Sequence, residues 1–494
     1  MRKLGTAVQP KWLRAGAAIA LLVFLTLGVA LSLTKPPFGD EGYCAAPGYT
    51  LITRGYMGLP ASMEFGLQRH VYSQPPLYFL NQAVWIAVGG LSVFMARFSS
   101  ILWGLVLLVS CYFALRKATG AREPAFLAAA VLSADYTFLM GATTARADMM
   151  ASALGAAAVA VFLCWRERRF AWAVVASHTL MALSGLTHPA GGIVWEAALI
   201  AVTLGTDARR AVRPRLLALA IVPYLIGAAG WGIYILQDPA SFQAQFLNIT
   251  LSMDRGRALH SPFSTLLREV TERYWRYYGP TPNAPRVGAL RSLLPLGYLG
   301  GLVCAFAVPS LRARPVVRNT AALFCLMAFV LAMVDGTKQL PYLLHLIPVA
   351  VALLALVLWY SRASWIVVAA LVVIQLGPVL YRVRIDTYAR DYLPAVEIVR
   401  PYAESGRKII AGEQFGFPFR FSANIQSDVN YGYRTGYQPD LIEIETSVFD
   451  GNLPALAAHD PAEGAYLRKL LTEDFRQIWE GGPYRIYARA GAAR

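Results

Sequence analysis

The feature that most constrains this chain is a run of apolar stretches, each about as long as a bilayer is thick. A helix that crosses the hydrocarbon core needs about 20 mostly apolar residues, or about 17 at the short end. Eleven stretches are read as spans, some of them short: 13–33, 97–115, 123–140, 147–164, 170–187, 189–205, 216–236, 289–308, 319–334, 340–359 and 364–381. A further apolar stretch, 77–91, is only about 15 residues long and follows Pro75-Pro76, so it reads as an interfacial helix at the membrane surface. Composition agrees. Of 494 residues, 56% are hydrophobic and 15% charged, against roughly 25% charged in soluble domains. That excludes a soluble multidomain chain and a disordered one, and the glycines show no triplet period, which excludes collagen.

The net charge of +16 would in isolation suggest nucleic acid, but its placement argues for a membrane protein and against a nucleic-acid partner. With the N-terminus (Arg2, Lys3, Lys11, Arg14) inside, the inner loops carry Arg116, Lys117 and Arg122, then Arg166, Arg168 and Arg169, then Arg209, Arg210, Arg213 and Arg215. Arg312, Arg314, Arg318 and Arg362 complete the series. Every short basic loop then falls on the cytoplasmic side, as the positive-inside rule requires. Counting 77–91 as a span would reverse everything after it. The first stretch lacks a small-x-small cleavage site before Lys35-Pro36-Pro37 and is expected to stay as the first helix. The cysteines are Cys44, Cys111, Cys164, Cys304 and Cys325, with no CxxC pair, so neither a disulfide framework nor a zinc site is expected.

Three segments project outward: the loops 34–96 and 237–288 and the tail 382–494. The tail is polar, with strand-like runs at 408–411 and 484–487, and reads as a small soluble α/β domain following a membrane domain over 1–381. Ionisable groups near membrane depth are costly and therefore functional candidates. Several lie on the outer side. Asp40 and Glu41 stand in a glycine-flanked loop after the first span, Gln74 and Tyr78 flank Pro75-Pro76, and Arg97 opens the second span. Arg146 and Asp148 precede the fourth, His188 lies between the fifth and sixth, and Lys338 and Tyr342 precede the tenth. Their shared depth and side imply a common outward pocket. Arg and Lys there suit a phosphate, and a carboxylate beside them suits proton removal from an incoming hydroxyl or amine. A lipid-linked phosphosugar fits, its tail in the bilayer and its headgroup at the surface.

At these residues the sequence resembles the GT-C membrane glycosyltransferases, and most of all the protein mannosyltransferase and lipid A aminoarabinose transferase branch. The likeness lies in the acidic pair after the first span, Pro75-Pro76-Leu77-Tyr78 before an interfacial helix, Arg97, and the run 338–348. It covers about 13–381 and matches the tail only in position. The resemblance implies an α-helical polytopic GT-C fold with about 11 transmembrane helices and a C-terminal α/β domain. It implies Asp40 as catalytic base or acceptor-orienting residue with Glu41 as the adjacent alternative, and Asp148 as a second acid near the sugar. Arg146, Lys338 and Arg97 would hold the donor phosphate, with Tyr342, Tyr78 and His188 lining the pocket. Gln74 stands where related proteins often carry His or Glu, which weakens the case for a metal there; a divalent metal is compatible with such a site, but no ligand spacing calls for one. The implied reaction is inverting transfer from a polyprenyl-phosphate-sugar to an envelope glycolipid (lipid A among them), a glycan or a protein, on the outer face of a bacterial inner membrane. The competing class is a transporter or lipid flippase with an outward polar gate, which requires broken helices and charges near the midplane.

Overall fold

The computed structural model describes residues 10–63, 65–248, 257–279, 291–363, 365–446, 449 and 457–490. It is a helical membrane bundle with a small sheet domain at one end. The helices up to the second outer loop are α1 (Pro10–Thr34), α2 (Gly39–Arg54), α3 (Leu77–Gly89), α4 (Val93–Thr119), α5 (Glu123–Ser133), α6 (Tyr136–Ala142), α7 (Ala147–Trp165), α8 (Phe170–Thr187), α9 (Pro189–Ala211) and α10 (Pro214–Ile235). Helices Leu294–Ala307, Pro315–Val334, Ile347–Tyr360 and Trp365–Ile385 follow. Among the described residues seven helices are long and apolar enough to cross a membrane, or nine if two bent pairs each count as one span. Each expected stretch overlaps helical residues, 123–140 as two helices, while residues 289–290 and 364 of the expected stretches lie outside the described residues. Two of the helices, Leu294–Ala307 and Ile347–Tyr360, are only 14 residues long. Residues such as Leu225, Ile226 and Ile233 on α10 are more than 60% exposed, which in this chain is a lipid-facing surface. The protein is an integral membrane protein.

The departures from the sequence expectation are bends. The segment expected to be an open loop at Asp40 is helical: α2 leaves α1 at 96°, across Lys35-Pro36-Pro37, where the prolines forbid a continuous helix. The expected span 123–140 is broken by 65° between α5 and α6. Asp135 caps the second half by accepting from the Phe138 amide at 2.7 Å, and it also accepts from the Tyr298 hydroxyl. The break is therefore closed by protein partners. Helix α3 has 13 residues, about 20 Å at 1.5 Å per residue and too short to span. Its exposed apolar side is Leu80, Val84 and Val88.

Helix α7 is the axis of the bundle, packed against α4, α8 and α9. Its small residues Ala151, Ala153, Gly155, Ala156 and Ala158 are buried, and small side chains let membrane helices approach closely. Beyond the bundle, helix Leu393–Glu404 covers a five-stranded sheet of β1 (Ile409–Ile410), β2 (Ile425–Gln426), β3 (Leu441–Glu445), β4 (Phe475–Gly481) and β5 (Tyr484–Arg489), ordered β2-β1-β3-β5-β4. Strands β1, β2 and β3 pair in parallel, and β5 runs antiparallel to β3 and β4. This domain is stitched to the first outer loop, where the Ser427 amide donates to Ala61 O at 2.6 Å and Gln426 Nε2 to Pro60 O at 3.3 Å. The two outer loops are joined by Gln245, whose Oε1 accepts from the amides of Tyr72 and Ser73 at 2.6 and 3.1 Å.

Candidate active site

Because α2 is a helix, Asp40 and Glu41 stand about 100° apart around its axis, and their environments differ completely. Glu41 is fully buried. It takes Arg97 as a fork, Nε to Oε1 at 2.8 Å and Nη2 to Oε2 at 2.6 Å, and accepts from the amides of Ala145 at 2.9 Å and Phe38 at 3.3 Å. Arg97, equally buried, gives its remaining donors to Ser32 O, Lys35 O and Pro36 O at 2.9, 2.6 and 2.9 Å. This pair holds the α1–α2 bend to α4 and to the start of α7. All of Arg97's hydrogen bonds go to protein atoms.

Asp40 instead points outward, with its side chain 51% exposed. It accepts from Arg146 Nη1, while Arg146 Nε donates to Asp148 Oδ2 at 2.8 Å. One guanidinium thus bridges an exposed carboxylate and a buried one, and among the described residues its Nη2 has no protein partner. Behind Asp148, His345 Nε2 and His188 Nε2 stand 3.8 and 4.0 Å from its Oδ1. The two imidazoles stack with centroids 5.9 Å apart. Helix α9 begins at Pro189, and His188 caps it: the Gly191 amide donates to Nδ1 at 3.1 Å, and Nε2 faces the Tyr342 hydroxyl at 3.0 Å. His345 Nδ1 lies 2.6 Å from Ser152 Oγ. Gly191 is required beside it, since a Cβ there would stand 2.4 Å from the His345 ring.

Asp148, His188 and His345 form the one cluster among the described residues whose ligand atoms lie close enough together for a metal, within 4.8 Å. The donor set does not fit zinc. The Gly191 amide occupies the Nδ1 lone pair of His188, so in the neutral ring the proton is on Nε2, and that nitrogen has no lone pair for an ion. Only Asp148 and His345 remain, too few for a zinc site.

Lys338 sits in a neighbouring ionic cluster. It adopts the left-handed conformation (φ 57°). Its Nζ is 3.0 Å from Glu269 Oε2 and donates to Ala332 O at 2.7 Å. Arg273 bridges Glu269 and Asp335 at 2.8 and 2.9 Å. Burial pulls the Lys338 ammonium below its ordinary pKa, opposed by Glu269. Tyr78 is buried against Cys44, Ala147 and Met150, with its hydroxyl accepting from Gln82 Nε2 at 2.7 Å. Gln74 follows Ser73, whose Oγ bonds the Tyr43 hydroxyl, and its own Oε1 is buried without a protein partner among the described residues.

The structure therefore brings Asp40, Arg146, Asp148, His188 and Tyr342 into one contiguous site, sets Lys338 beside it, and commits Glu41 and Arg97 to each other. Sequence reasoning did not single out His345, Ser152, Glu269 or Arg273. The i,i+4 spacing of Glu269 and Arg273 in an outward loop was the available signal for that pair; His345 lies inside the apolar run Leu343–Ile347 and gave none. The C-terminal domain also reaches the site. A Cβ on Gly42 would stand 2.1 Å from Glu413 O, and one on Gly39 would stand 3.0 Å from Glu413 Oε2.

No protein-family model and no curated protein sequence matches this chain. Solved structures do match. The chain is similar to ArnT from Cupriavidus metallidurans bound to undecaprenyl phosphate, at 16% identity over 98% of this chain and 99% of that one, with a TM-score of 0.58. It is also similar to the archaeal oligosaccharyltransferase AglB from Archaeoglobus fulgidus in complex with an inhibitory peptide and a dolichol-phosphate, at 13% identity over 99% of this chain and 75% of that one, TM-score 0.55. An Archaeoglobus fulgidus oligosaccharyltransferase tethered to an acceptor peptide gives 12% identity, 98% and 74% coverage, and a TM-score of 0.54. The chain shares the fold of these membrane-protein structures. Its likeness to the ArnT structure extends over both chains almost end to end, C-terminal domain included.

Proposed function

We propose that this protein is a GT-C glycosyltransferase that transfers a sugar from a polyprenyl-phosphate donor to an envelope acceptor at the outer face of the membrane, with inversion. The observation that carries the reading is the Arg146 bridge between exposed Asp40 and buried Asp148. While Arg146 holds Asp40, the carboxylate is a poor base, because a neighbouring cation favours its ionised form. A donor phosphate attracts the same guanidinium, whose Nη2 is available to it, and draws charge away from Asp40. Asp40 then accepts the proton of the acceptor hydroxyl or amine as that atom attacks the anomeric carbon, and the polyprenyl phosphate leaves, stabilised by Arg146 and Lys338. Asp148 fixes Arg146 from behind, and His188 and Tyr342 wall the pocket.

In this reading Glu41 and Arg97 are a brace that fixes where α2 presents Asp40, in place of the phosphate-binding and catalytic roles the resemblance implied for them. Glu413 from the C-terminal domain closes one wall of the mouth beside Gly39 and faces the acceptor side. The site opens toward the periplasm of a bacterial inner membrane, with the short Arg-rich loops in the cytoplasm. The ArnT and AglB structures, described with undecaprenyl phosphate and a dolichol-phosphate, support a lipid-phosphate donor. Mass spectrometry of envelope lipids, glycans and proteins from cells with and without this protein tests the reading. It predicts the loss of one glycosyl modification and accumulation of the lipid-linked sugar; identical profiles count against it.

A further inference from the structure

We propose that the end of the bundle opposite the candidate active site carries a binding site for one anionic phospholipid, an acyl chain filling the shaft between the helices and the phosphate at its rim. The site is a cavity of about 780 Å³ among α4, α7, α9 and the helices Pro315–Val334 and Ile347–Tyr360, within the range of small-molecule pockets. Its wall is apolar, with Val159, Ala198, Leu323 and Ala352 facing it. It runs from Arg166 at the end of α7 to Ala156, ten residues up that helix, which is about 15 Å and half the hydrocarbon thickness. Trp195 closes the floor: its ring stands 2.2 Å from the Cβ position of Gly155, and its buried Nε1 has no protein partner among the described residues. Protein interiors pack as densely as organic crystals, and an apolar shaft of this size offers water too few polar partners to hold it. A chain of methylenes suits it.

The rim selects the headgroup. Lys117, Arg166 and Arg318 line it. Lys117 and Arg166 are already paired, to Glu167 at 2.8 Å and Asp207 at 2.5 Å, but exposed Arg318 has no ion-pair partner among the described residues. Beside it, helix Pro315–Val334 starts without a side-chain cap, and its first residues Pro315 and Val316 line the cavity, so the positive end of its dipole favours an anion there. The uncompensated charge is thus positive, which suits a phosphate bearing no ammonium group. The site is separate from the donor-phosphate site. Arg146 and Arg166 flank α7 at its two ends, about 30 Å apart.

The test is native mass spectrometry of the purified full chain in neutral detergent, titrated with dioleoylphosphatidylglycerol or dioleoylphosphatidylcholine. The wild type should retain one phosphatidylglycerol at least about 10-fold more tightly than phosphatidylcholine. Arg318→Glu, at an exposed position that leaves the fold intact, should remove that preference. Val202→Trp, which fills the shaft, should abolish retention of both lipids. Equal retention of the two lipids by the wild type, or an unchanged preference in Arg318→Glu, overturns the headgroup assignment. Full retention in Val202→Trp places the lipid outside the shaft and overturns the proposal as well.

Discussion

Arg97→Met is the sharpest probe of how Asp40 is positioned. Methionine fills much of the arginine volume but removes every donor. Glu41 loses both members of its fork and keeps only the amides of Ala145 and Phe38, while the carbonyls of Ser32, Lys35 and Pro36 lose their shared donor at the α1–α2 bend. Breaking a fully buried pair from one side costs about 3–5 kcal/mol, because the remaining charge is left uncompensated. Adding Glu41→Gln removes that stranded charge, so the double variant should recover a substantial part of the loss, giving a coupling energy of about 1–3 kcal/mol. Denaturant unfolding of the purified protein in detergent, followed by tryptophan fluorescence, measures all four corners of the cycle. If Arg97 held the donor phosphate instead, Arg97→Met would keep the wild-type midpoint and raise the donor KM. That pattern would refute the brace.

Arg146→Ala and Lys338→Ala should each raise the donor KM by about 10- to 100-fold, the cost of a charge-assisted contact worth about 1.5–3 kcal/mol, measured in a transfer assay with the folded variants. Gly42→Ala places a Cβ 2.1 Å from Glu413 O. The C-terminal domain should be forced off α2 at a cost of about 1–3 kcal/mol, seen as increased protease sensitivity of residues 405–446 and reduced turnover. Glu443, buried on β3, has its carboxyl pushed up to about 8, first by desolvation and then by Glu445 and Glu413, against one hydrogen bond from the Gly412 amide. The folded state therefore binds a proton that the unfolded state has released. The contribution of Glu443 to the stability of this domain should be fully present below about pH 4.5 and be lost as pH rises to about 8, at a slope of up to about 1.4 kcal/mol per pH unit. Hydrogen exchange of β1 and β3 amides, corrected for intrinsic rates, should show that slope in the wild type and not in Glu443→Gln.

Most of the apolar helices were legible because a helix that crosses lipid must present about twenty apolar residues, a demand that leaves its mark in composition alone; among the described residues seven, or nine with the bent pairs joined, reach that length. The strands at Ile409–Ile410 and Tyr484–Arg489 were legible for a similar reason, being β-branched and aromatic runs inside a polar tail. Helix α2 was not. It contains Gly39, Gly42, Pro47 and Gly48, residues of low helix propensity, and it forms because tertiary contacts override that preference: Gly42 and Gly48 let the Glu413 turn and α3 approach its backbone. The bend between α5 and α6 escaped notice because Asp135, as a cap, looks like any other polar residue near a helix end. Asp40, Arg146, Asp148, His188 and Tyr342 could be gathered from their common depth. The pairing of Glu41 with Arg97 could not, since residues 56 positions apart meet only once α1 turns into α2.

In the proposed reaction the exposed member of the acidic pair does the chemistry. Asp40→Asn keeps the size of the side chain and its contact surface and removes its basicity. With the donor and acceptor identified from the envelope profiles, steady-state transfer by the purified variant should fall by about 10²–10⁴-fold in kcat, the usual range for a general base, with donor KM changed by only a few-fold. Near-wild-type kcat in a folded Asp40→Asn would remove Asp40 from the proton transfer.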